Sequence, residues 1–180
     1  MRVSVLIASI LALCAVGPAR GQSVVVQGAA GPTLVDRGYS VAGGVGWRPW
    51  SRLTVSINGE RTHLNTTERS DGRGYTSRFR GGTLTLLAAE ARLSLFPSSR
   101  VTPYVLAGYA VGQSRPNVTA AFPDRVTNGV HAVFAGGGLH VPVRPRSRLC
   151  VFGDVRWLVG DEGNELLAVV PLRVGLSWRF

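Results

Sequence analysis

The chain has 180 residues, 45% of them apolar and 17% charged, and carries a formal net charge of +10. All 20 basic residues are Arg, against 10 acidic residues, yet no aromatic–basic module accompanies them, so the charge does not point to nucleic acid. No run of 18 apolar residues follows position 21, which excludes a transmembrane helix and leaves a closed barrel as the way such a chain could cross a bilayer.

Residues 1–21 read as a secretory signal: Arg2 supplies the charge, 3–16 are apolar, and Ala19-Arg20-Gly21 offers small residues for cleavage before Gln22. Cys14 raises a lipoprotein alternative, but Leu13 is too bulky for the usual lipobox and the apolar run continues past the Cys. The expected mature domain is 22–180, with 18 Arg against 10 acids and Cys150 as its one cysteine, so no internal disulfide is possible.

Eight segments of strand character follow. They are 23–30, 38–48, 52–63, 83–96, 101–112, 129–143, 149–160 and 167–180. The second puts Tyr39, Val41, Val45 and Trp47 on one face. The third sets Leu53, Val55 and Ile57 against Thr54, Ser56, Asn58 and Glu60. The last alternates strictly: Val170, Leu172, Val174, Leu176, Trp178 and Phe180 are apolar, whereas Pro171, Arg173, Gly175, Ser177 and Arg179 are not. A period of two with one apolar face is the pattern of a strand between two unlike environments.

The connections alternate in length. Those at 49–51, 97–100 and 144–148 are short and rich in turn formers, whereas 31–37, 64–82, 113–128 and 161–165 are mostly longer and polar. Such alternation is the layout of an antiparallel barrel with short periplasmic turns and longer outer loops. Glycines inside the strands, such as Gly108 and Gly136 to Gly138, relieve crowding in a narrow lumen. They are not phosphate loops, because no helix start follows them.

The stretch T-P-Y-V-L-A-G-Y-A-V-G at 102–112, with G-D-V-R-W at 153–157 and the final Trp178-Arg179-Phe180, resembles the small outer-membrane β-barrel domain family of OmpA transmembrane-domain and OmpX type. The resemblance covers the mature chain. It implies an all-β, eight-stranded antiparallel up-and-down transmembrane barrel in the bacterial outer membrane; because the chain stops at the last strand, no periplasmic peptidoglycan-binding domain is expected after it. It also implies an assembly signal in Trp178 and Phe180, read by the barrel assembly machinery.

A soluble lipocalin-type barrel is the structural rival, and Gly44-x-Gly46-Trp47 loosely fits its Gly-x-Trp motif. That motif lies at the wrong strand. Charges converging inside a soluble apolar calyx would also be costly. With lipid outside, the same alternation places Glu60, Glu90, Arg92, Asp154, Arg156 and Arg173 in the lumen as a polar plug, with Glu90 between Arg156 and Arg173. Val105, Ala107, Tyr109, Val155, Trp157, Val174, Leu176 and Trp178 are then expected to face lipid, with Trp47, Tyr109 and Trp178 as anchors near the rims.

Catalysis would have to use His63, His131 or His140. A lipid-deacylase barrel needs a His and a Ser close on one strand, and His131 is followed by Ala132-Val133 instead. The three are read as rim histidines. No catalytic residue, metal site or cofactor is expected. Arg69, Arg73, Arg78 and Arg80 in the loop 64–82 are candidates for contact with lipopolysaccharide or another polyanion. The expected role is structural or surface-interacting, in a monomer whose partners are outer-membrane lipids and lipopolysaccharide. A small-solute pore is the alternative, and a lipid-modifying enzyme the third.

Overall fold

The alternation written into each segment decides the architecture. In this computed structural model, residues 23–34, 37–70, 76–79, 81–97, 99–118, 127–145, 147–162 and 165–180 are described. The signal at 1–21 lies outside them, as do Arg73 and Arg80.

Eleven strands form among these residues: β1 (Ser23–Pro32), β2 (Tyr39–Arg48), β3 (Leu53–Leu64), β4 (Thr67–Ser70), β5 (Thr76–Phe79), β6 (Gly82–Ser94), β7 (Thr102–Pro116), β8 (Asn128–Pro142), β9 (Leu149–Glu162), β10 (Glu165–Val169) and β11 (Leu172–Arg179). Strands β4 and β5 make a separate hairpin. The rest close on themselves: β1, β2, β3, β6, β7, β8 and β9 pair in sequence, β9 pairs with β10 and β11, and β11 returns to β1. All pairs are antiparallel. Among the described residues the barrel itself leaves no edge open, which is what a β structure in lipid requires.

Strands β10 and β11 are one barrel strand. The register of β9 against β10, Leu158 opposite Val169, continues without a slip into β11, Val155 opposite Leu172. Pro171 sits at the break. Its carbonyl accepts from the Arg156 N–H at 3.1 Å, but a proline cannot return a donor. The barrel therefore has eight strands.

Its stagger follows from the pairing. Starting at Val24, the partners Trp47, Val55, Ala91, Ala107, Ala135 and Trp157 lead round to Val170, whose carbonyl accepts from the N–H of Leu34. The circuit thus returns to the first strand ten residues further on. Eight strands with this stagger tilt roughly 40° from the axis and enclose a lumen that side chains can fill.

Several boundaries differ from the sequence reading. Strand β7 runs four residues past Gly112 and β8 starts one earlier, because both keep pairing above the apolar belt. The loop expected at 161–165 is mostly strand, with Glu162 opposite Glu165. Leu64 and Gly82, expected at the ends of an exposed loop, are paired with each other and buried. Part of that loop is the β4–β5 hairpin, where Arg69 pairs with Ser77 and Glu68 with Arg78.

Candidate functional site: the wall and the lumen

The outer wall is an apolar belt. Val105, Tyr109, Val155, Trp157, Val174, Leu176 and Trp178 all point outward, with Val174 61% and Trp157 66% exposed. Ala107 shares that exposed face. For a water-soluble domain such a surface would be an aggregation hazard; against hydrocarbon it is the correct one. The belt ends at a common level, where Arg61, Thr85 and Gln113 lie side by side on three neighbouring strands.

Aromatic groups collect at both margins. At the short-turn end, Trp47 and Trp178 flank β1 opposite Val24 and Val26, and Trp178 packs on Phe180 at 6.4 Å. Toward the loop end, Tyr39 packs against His63 at 5.4 Å, and the Tyr109 hydroxyl lies 3.0 Å from His131 Nδ1. His63 and His131 thus belong to the outer wall. His140 does not. It points into the lumen, with its Nε2 at 2.7 Å from Ser177 Oγ and its ring edge-on to Tyr104 and Phe152. The reading of three rim histidines therefore fails for His140, because even-numbered positions of β8 face inward.

The lumen is layered. Its middle holds Glu60, Glu90, Arg92, Asp154, Arg156 and Arg173, all buried. Asp154 is the hub. It accepts from Arg173 Nε and Nη2, each at 3.0 Å, from Arg156 Nε at 3.4 Å and from the Tyr104 hydroxyl at 3.1 Å. Glu60 accepts from Arg173 Nη1 at 3.3 Å and from Ser40 Oγ at 2.8 Å. Glu90 accepts from Arg92 Nη2 at 2.9 Å and, on its other oxygen, from Arg156 Nη2. Three carboxylates thus face three guanidinium groups, and each is hydrogen-bonded as well as paired, which is what makes a buried charge tolerable.

Glu90 is not held between Arg156 and Arg173. Its cations are Arg92 and Arg156, and Arg173 turns to Asp154 and Glu60. Counting residues from strand ends ignores the stagger of the barrel. The register sets Arg173 directly opposite Asp154 on β9, whereas Glu90 belongs to β6.

Aromatic rings pack around the charges, and glycines make room for them. Arg92 lies 4.5 Å from the centre of the Tyr104 ring and 5.2 Å from that of Phe152; Arg156 lies 5.1 Å from Phe134. A Cβ at Gly138 would stand 2.7 Å from the Tyr104 ring, and one at Gly175 2.6 Å from Phe152. Neither position has space for a side chain.

Toward the loop end the β6–β10 side of the lumen is apolar. Leu84, Leu86, Ala88, Ala110, Val130, Ala132, Phe134, Leu158 and Val169 form one buried cluster. The plug is therefore not polar throughout. On the β1–β3 side a polar strip runs beside it, with Gln27 Nε2 donating to Asn58 Oδ1 at 2.6 Å and Asn58 Nδ2 to Ser56 Oγ at 3.1 Å. Tyr104 and Ser40, not singled out in the sequence, complete the network; both have the inward phase of their strands.

Among the described residues no cluster of His, Cys, Asp and Glu could hold a metal.

No protein-family model matches the sequence, and no curated protein does. Solved structures do match in shape. Neisserial surface protein A is similar at 15% identity and a TM-score of 0.61, over 88% of this chain and 96% of its own. The N-terminal barrel domain of Pseudomonas aeruginosa OprF is similar at 15% identity and 0.58, over 88% and 97%. Ail of Yersinia pestis, crystallised with the heparin analogue sucrose octasulfate, is similar at 15% identity and 0.54, over 90% and 100%. The chain has the fold of these small outer-membrane proteins, an eight-stranded antiparallel β-barrel.

Proposed function

We propose that the protein is a non-conducting barrel of the bacterial outer membrane with a structural or surface-interaction role and no enzymatic activity. The observation that carries this reading is the filling of the lumen by the six-residue ionic layer and, toward the loop end, the apolar cluster. An ion entering it would have to displace paired charges and then shed its water in an apolar zone. Phase and belt support the same orientation: short turns to the periplasm, the longer connections outward. Planar-bilayer recording tests the reading. The folded protein should give no steady conductance above background; stable channels of defined size would replace it with the pore.

The loop residues Arg69, Arg73, Arg78 and Arg80 are proposed to contact lipopolysaccharide or a sulfated polyanion. The sequence supplies the charge, and the shape match to Ail, a barrel crystallised with a heparin analogue, favours the second ligand class. Retention on immobilised heparin should fall when the four are replaced by Gln, and should weaken with salt. Retention indifferent to both would remove the proposal.

Trp178 and Phe180 are proposed to serve as the assembly signal, since they stand outward on the strand that seals the barrel against β1. Phe180→Asp should lower the amount inserted in cells far more than the yield of folding into detergent. Equal losses in both would argue for a merely structural part.

A further inference from the structure

The charges of this chain are not spread evenly. In the lumen three acids balance three Arg. The short-turn end is different. The segments 48–53, 94–103 and 141–149 hold six Arg and no Asp or Glu, and Arg179 joins them at the end of β11.

Inside that basic rim the lumen opens into a polar cavity of about 100 Å³, lined by Arg48, Ser94, Thr102, His140, Cys150 and Arg179, together with turn residues. Among the described residues no carboxylate lines it. Among the described residues Arg179 is held there without a strong acceptor: its Nη2 donates to Cys150 Sγ at 3.4 Å, and its buried Nε has no partner. Arg48 is fixed by backbone carbonyls, its Nε donating to that of Trp50 at 3.3 Å and its Nη2 to that of Ser51. Those dipoles position the guanidinium but do not neutralise it. Ser94 and Thr102 add hydroxyls to the wall.

Two fixed cations, a buried N–H lacking an acceptor, and hydroxyls around a small polar space have one chemical complement. We propose that the short-turn mouth of the lumen is an oxyanion site, taking a phosphate-type group on Arg179 and Arg48, with the surrounding Arg rim concentrating anions at its entrance. The group is either free phosphate or the phosphate of a lipid headgroup from the adjoining leaflet. The ionic layer lies above the cavity, so occupancy needs no passage through the barrel.

The test uses the folded chain in neutral detergent, isotope-labelled for amide NMR and titrated with inorganic phosphate. Saturable shifts centred on His140, Cys150 and Arg179 are expected. Arg179→Gln should weaken the apparent affinity at least tenfold, Arg48→Gln should also weaken it, and Arg179→Lys should retain part of it. Arg148→Gln, on the rim outside the cavity, should change it less than threefold. A second arm, in phosphate-free buffer, compares nanodiscs of anionic phosphatidylglycerol with nanodiscs of phosphatidylcholine, whose headgroup phosphate is offset by choline. The same amides shifted in phosphatidylglycerol assign the headgroup; amides unmoved there but shifted by phosphate assign the free ion. Absence of saturable shifts in both arms would overturn the site. So would phosphate affinity unchanged by both the Arg179→Gln and Arg48→Gln substitutions. Heat-modifiable gel migration checks that each variant is folded, and the three cavity variants give independent readings.

Discussion

At the scale of the residue, burial makes each ion pair a condition of folding. Glu90 is 2% exposed and shared by Arg92 and Arg156. Truncating it to Ala takes from Arg92 the carboxylate it pairs with and leaves Arg156 only its longer contacts to Asp154 and Glu60, the costly way to break a buried pair, at about 3–5 kcal/mol. Reversible urea unfolding in lipid vesicles should report a loss of that size. A loss under about 1 kcal/mol would mean that water reaches the freed guanidinium groups or that Asp154 and Glu60 take over Arg156. Gly138 makes the opposite kind of demand. A side chain there collides with the Tyr104 ring, which both packs on Arg92 and donates to Asp154. Gly138→Val should cost about 1–3 kcal/mol by overpacking, read in the same assay.

At the scale of the element, the strands were legible and their partners in space were not. Period-two alternation identifies eight segments and sorts each into two faces, because every strand here has lipid on one side and a packed lumen on the other. The six lumen charges and the outward stripe are therefore readable by phase alone. Which charge meets which is set by stagger, a property of closure that no single strand encodes; hence the misplacement of Arg173 beside Glu90. The loop end of β9 illustrates a second limit: Asp161 and Glu162 are consecutive and both polar, so alternation fades although pairing continues to Glu162 opposite Glu165. The phase itself has a sharp test. Val174 is 61% exposed in the central part of the continuous β10–β11 strand, so Val174→Arg should cost roughly 2–4 kcal/mol against bilayer hydrocarbon. Arg at the neighbouring position 173 is native and buried in the lumen, so a tolerated Arg at 174 would invert the barrel.

At the scale of the whole molecule, the proposed non-conducting state would rest on two unlike layers in series. The ionic layer pairs across the lumen, from β3 and β6 to β9 and β11. The apolar cluster is packed, with Phe134 and Leu158 buried among the leucines of β6. Removing one layer should leave the other to exclude ions. The double variant Glu90→Ala with Arg156→Ala deletes a carboxylate and a guanidinium together, so it avoids leaving Glu90 or Arg156 as the other's unpaired charge. It is expected to remain silent in planar bilayers. Phe134→Ala with Leu158→Ala opens the apolar layer alone and should be silent too. Only the combination of all four substitutions is expected to raise a steady conductance, small because the backbone of eight strands limits the bore. Conductance from either double variant would show that a single layer holds the barrel shut. Silence of the quadruple variant, with its folding verified, would mean that the groups left in the lumen, among them Arg173 paired with Asp154 and Glu60 and the strip of Gln27, Ser56 and Asn58, are enough to fill it.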